Sequence, residues 1–81
     1  MSSDMSDMPQ YIVEVHFLDE DRSRKSESDF ETRVHAEARA NELFRVVDGV
    51  SHVRVLSKHP DPKIRGYAQI YRKEVERWKT Q

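Results

Sequence analysis

The sequence predicts a small α+β domain, a two-layer sandwich of order β-(β)-α-β-α with two or three strands and both helices on one face. Three observations lead there. Residues 10–18 and 50–56 alternate apolar and polar side chains, the signature of half-buried strands. Residues 33–48 repeat their apolar positions at helical spacing. Residues 62–81 repeat theirs at spacings of 3, 1, 3, 4 and 3, which also suits a helix.

In chain order, residues 1–9 form an expected flexible tail of Ser, Asp and Met ending at Pro9, and residues 10–81 form a single domain. The first strand is Gln10–Leu18, where Tyr11, Val13, Val15 and Phe17 alternate with Ile12, Glu14, His16 and Leu18. A polar turn at 19–23 follows. Arg24–Phe30 is an optional second strand, its Ser, Lys and Glu suiting an exposed edge. Thr32 is an expected N-cap, since its hydroxyl can accept an unpaired N–H of the first turn. The helix Arg33–Asp48 places Ala36, Ala40, Leu43, Phe44 and Val47 on one stripe, and Gly49 suits its left-handed exit. Val50–Leu56 is the next strand, with Val53 and Val55 facing one way and His52, Arg54 and Leu56 the other. The final helix rests on Ile64, Tyr67, Ala68, Tyr71, Val75 and Trp78, with Asp61-Pro62 as its cap and first residue. Gly66 opposes it, and a strand at about 66–72 is the competing reading.

Composition excludes several kinds of function. The chain has 81 residues, 36% of them hydrophobic and 36% charged, so one thin core is affordable and a deep catalytic cavity is not expected. It contains no cysteine, which removes disulfides, thiolate metal sites and thiol nucleophiles, and favours a cytoplasmic home. Neither a signal peptide nor a membrane span is expected. Two glycines cannot build a phosphate loop or a dinucleotide fingerprint. Asp19-x-Asp21-x-Ser23 starts like a calcium loop, but Arg24 and Phe30 occupy the positions that need glycine and a bidentate carboxylate. His35-Ala-Glu37 lacks the cysteine partners of a zinc deaminase, and His16, His52 and His59 follow no ligand spacing. No enzyme, cofactor, metal or small-molecule substrate is therefore expected.

Two surfaces remain. On the strand face away from the helices, Ile12, Glu14, His16 and Leu18 lie beside His52, Arg54 and Leu56, with Glu14 able to pair with Arg54. Apolar centres ringed by polar groups mark interfaces, so these seven residues are the expected surface of a homodimer. Its two histidines would weaken it once both are charged, below roughly pH 6. The second surface is the basic C-terminal segment. Residues 58–81 hold seven cations against three anions, net +4, whereas residues 1–57 carry −5. Arg65, Arg72, Lys73, Arg77 and Trp78 are the candidate partner-binding residues there. The expected function is a small non-enzymatic protein-binding module, an adaptor, inhibitor or regulatory subunit. The alternative is a nucleic-acid-binding accessory protein using segment 58–81 against phosphates.

Overall fold

The computed structural model describes residues 9–61 and 63–75. Its elements are β1 (Tyr11–Phe17), β2 (Lys25–Phe30), α1 (Arg33–Val46), β3 (Val50–Lys58) and β4 (Tyr67–Glu74). They form one four-stranded sheet of order β2-β1-β3-β4 in which every neighbouring pair is antiparallel. The helix crosses from β2 to β3 and lies on one face, chiefly over β1 and β3.

The alternation read in the sequence explains that placement. Val13 and Val15 of β1 pair with Val55 and Val53 of β3, and all four are buried against α1. Ala36, Ala40 and Leu43 are the buried residues of the helix. The two alanines carry only a methyl group, so the helix backbone can lie close to the valines. Thr32 caps α1 with its Oγ1 accepting from the His35 N–H at 3.2 Å. The chain leaves the helix through Gly49, whose φ of +79° suits a residue without Cβ. Arg22 closes this end of the molecule. Its guanidinium sits 3.8 Å from the Phe17 ring centroid and donates to the Asp48 carbonyl at 3.1 Å.

The sequence expectation of two helices over two or three strands is overturned: there are four strands, and α1 is the only helix among the described residues. The helix expected over residues 62–81 is replaced by β4 at 67–74. The reason is a bulge. Val55 pairs with Tyr71 and Leu56 with Gln69, leaving Ile70 as an extra residue in β4. An extra residue reverses the alternation of a strand. Gln69 therefore lies opposite Leu56 before the bulge, and Arg72 lies opposite Arg54 after it. Ile70 and Tyr71, consecutive in sequence, both pack on the core. Period 2 is erased, and the surviving apolar spacing imitates a helical stripe.

The other features that suggested a helix have different roles. Gly66 sits in the loop before β4 with φ +115°, and its carbonyl accepts from His59 N–H at 3.2 Å. Asp61 does not cap a helix; its Oδ1 accepts from Lys63 N–H at 2.9 Å inside the loop. Pro62, Arg77, Trp78 and the tail assigned to residues 1–9, apart from Pro9, lie outside the described residues. The strand at 66–72, the competing reading, is close to the observed β4.

Side chains tie β4 to the rest. The Tyr71 hydroxyl donates to Asn41 Oδ1 of α1 at 2.7 Å, and the Tyr67 hydroxyl donates to the Pro9 carbonyl at 2.6 Å. Arg33, in the first turn of α1, donates through Nη2 to the carbonyl of the bulge residue Ile70 at 3.2 Å. Tyr71→Phe removes one of these bonds without changing shape. It is expected to cost about 1 kcal/mol of stability in urea denaturation; no loss at all would contradict the seating of β4 against α1.

Candidate functional site

The face of the sheet opposite α1 carries no covering element among the described residues. Its side chains follow from register. Across β1 and β3 the pairs are Ile12 with Leu56, Glu14 with Arg54, and His16 with His52. Across β3 and β4, Leu56 meets Gln69, Arg54 meets Arg72, and His52 meets Glu74. Glu14 also pairs with Ser26 of β2. The face thus consists of an apolar row, a charged row and an imidazole row, stacked along the strands.

Glu14 is the centre of the charged row. It is only 6% exposed although no helix covers it. Its Oε1 accepts from Arg54 Nε at 2.8 Å and lies 3.0 Å from His16 Nε2. Burial opposes ionisation of this carboxyl. The hydrogen bonds from His16 and Arg54, with the positive fields of Arg54 and Arg24, outweigh it and hold the group below the usual carboxylate value. The Arg54 fork also reaches Gln69 Oε1, at 3.5 Å. Arg72 donates from Nε and Nη2 to Glu74 Oε1 at 3.2 and 2.9 Å.

In the next row the His16 and His52 rings stack across the strands, with centroids 4.3 Å apart and planes 10° apart. Stacking across a strand spacing stands the rings upright on the sheet, edges outward. Burial, with Arg72 and His16 close by, holds His52 below the ordinary histidine value, against the opposing field of Glu74; Arg54 adds to the lowering. His52 Nδ1 is 3.2 Å from Ser51 Oγ.

Six of the seven residues expected to form the homodimer surface are therefore neighbours: Ile12, Glu14, His16, His52, Arg54 and Leu56. Leu18 follows the end of β1 and is 44% exposed. The partner-binding set does not gather. Arg65 is exposed in the loop before β4. Arg72 joins the open face, whereas Lys73 faces the helix layer, its Nζ 5.2 Å from the centroid of the Phe44 ring. The expected single basic helix face is absent. Sequence reasoning missed Gln69, Arg72 and Glu74 as members of the open face. Only the strand register of β4, hidden by its bulge, could have placed them.

The helix side offers one further feature. A groove of about 190 Å³ runs between α1 and β2, lined by Val13, Val15, Phe17, Leu43 and Val47. It exists because one helix is too narrow for four strands. Arg39 spans it, donating from Nε and Nη2 to the two oxygens of Glu27 at 2.8 and 2.9 Å. Among the described residues no group of three or more His, Asp or Glu side chains is placed to hold a metal ion. No helix among them is long and apolar enough to cross a membrane.

Comparison with protein-family models, with curated proteins and with solved structures yields no match. Function must therefore be argued from the face itself.

Glu14→Gln keeps the shape and removes the charge. It is expected to lower stability near neutral pH by about 1–3 kcal/mol, because Arg54 loses its carboxylate. The pH dependence has a definite sign. The folded carboxyl lies below its ordinary value of 4.5, so its stabilisation is present above that pH and is lost as pH falls through the folded value. The variant should accordingly lose less stability than the parent between about pH 5 and pH 3. Urea denaturation across that range measures both effects.

Proposed function

We propose that this chain is a small protein-binding module that pairs with a second copy of itself through the open face of its sheet. One observation carries this reading: the charge pattern of the face is complementary to itself. A twofold axis parallel to the strands, running between β1 and β3, exchanges β1 with β3 and β2 with β4. It sets Ile12 against Leu56 of a second copy, and Glu14 against its Arg54. Glu74 then meets Arg24, the residue ahead of β2 whose positive field already reaches Glu14. Opposite charges meet at Glu14 with Arg54 and at Glu74 with Arg24, and the strand directions stay aligned, as face-to-face sheet packing requires.

The energetics favour such pairing without demanding it for folding. The core consists mainly of valine and alanine with Leu43, so the single chain buries little apolar surface. Leu56 is already buried in the single chain, so the apolar gain on pairing comes from Ile12 and the histidine rings, at roughly 25 cal/mol per Å². Glu14 and Arg54 enter already hydrogen-bonded, which reduces the desolvation cost of burying charges.

Charge reversal at the rim tests the pairing. Arg24 and Glu74 are both exposed, so the fold should tolerate their exchange. Glu74→Arg is expected to weaken self-association about tenfold, since each dimer gains two repelling pairs. Arg24→Glu in the same chain should restore it. Sedimentation equilibrium over a dilution series gives the dissociation constants. A parent chain that stays monomeric at high micromolar concentration, or a double variant no tighter than Glu74→Arg, would refute the pairing.

A further inference from the structure

The imidazole row gains a second role if the pairing holds. The twofold that sets Glu14 against Arg54 also sets His16 of one copy against His52 of the other. Each copy already holds its own two rings stacked at 4.3 Å. Four imidazoles would thus meet in the centre of the interface. Resting on self-association through this face, we propose that the stacked histidines make the assembly proton-gated: it forms while the His52 rings are neutral and separates when they take up protons.

The surrounding charges set the direction. From β1 the stack faces Glu14, and from β3 it faces Ser51 and Arg54. From β4 it faces Arg72 and Glu74, while Arg24 stands ahead of β2. The two carboxylates are already engaged, Glu14 by Arg54 and His16, and Glu74 by Arg72. A proton on His16 meets the Glu14 carboxylate, whereas a proton on His52 enters the field of Arg54 and Arg72 while Glu74 is engaged by Arg72, so His52 carries the gate. Apposition of a second copy doubles that field and removes water that would screen it.

The sign follows from linkage. His52 already lies below the ordinary value of 6.5, so the neutral ring is the favoured form. Its contribution is present above 6.5 and is lost as pH falls. A second copy buries the His52 ring further, so the paired ring takes up a proton less readily than the ring of the single chain. A further lowering of about one pH unit on pairing weakens the dimer by up to about tenfold per ring, and the two His52 rings per dimer give up to about a hundredfold.

Sedimentation velocity on the full chain at about pH 7.5 and pH 5.5, with circular dichroism at both, tests the gate. The expected result is a dissociation constant about tenfold to a hundredfold higher at the lower pH with an unchanged spectrum. His16→Gln and His52→Gln together should bring the ratio of the two constants close to one. Heats of dilution of the parent near pH 6, in two buffers of different ionisation enthalpy, should show at least one proton taken up per dimer separated. Equal constants at the two pH values, no proton uptake, or a fold lost at pH ~5.5 would each overturn the gate while leaving the pairing intact. A monomer at both pH values would instead overturn the pairing, and the gate with it.

Discussion

The register between β1 and β3 is the constraint on which the remainder depends. It seats Val13 and Val15 against Val55 and Val53 on one side, and Glu14 against Arg54 on the other. A slip of one residue would turn every one of these side chains to the opposite face. The valines would then meet water, and Glu14 would enter the apolar layer under α1 without its guanidinium. Hydrophobic burial and ion pairing thus enforce the same alignment from two sides of one strand pair, so a thin core suffices to select it.

A single helix cannot cover both sides of a sheet. The uncovered side solves its problem laterally, its polar groups pairing across strands, as Glu14 does with Arg54, or along one strand, as Arg72 does with Glu74. Glu14 shows how far this goes, since it is nearly inaccessible on a face with no covering element among the described residues. Such cross-strand partners contribute individually small energies, but they leave no buried side-chain polar atom without a hydrogen bond among the described residues.

Much of this was legible in the sequence. Tyr11, Val13, Val15 and Phe17 alternate cleanly, and the alanines at 36 and 40 announce a close-packed helix. The same alternation placed Glu14, His16, His52 and Arg54 on a common face before any coordinates. Residues 67–74 were not legible, for a specific reason. The extra residue Ile70 shifts the phase of β4 in mid-strand, so neither half is long enough to show its period. Tyr67, Tyr71 and Ile70 are strand formers by propensity, yet their spacing satisfies a helix equally well. The misplaced segment carried Gln69, Arg72 and Glu74 with it, which is why the β4 side of the open face went unseen. Arg72 and Lys73, neighbours in a basic run, proved to serve opposite sides of the sheet.

The bond from Arg33 to the Ile70 carbonyl bears on how assemblies of this chain can grow. A lateral newcomer docking along the outer margin of β4 needs free main-chain acceptors in even succession. At the middle of that margin it meets a kink and an acceptor already claimed by a guanidinium. Sideways addition of a further strand along this margin is disfavoured at that point.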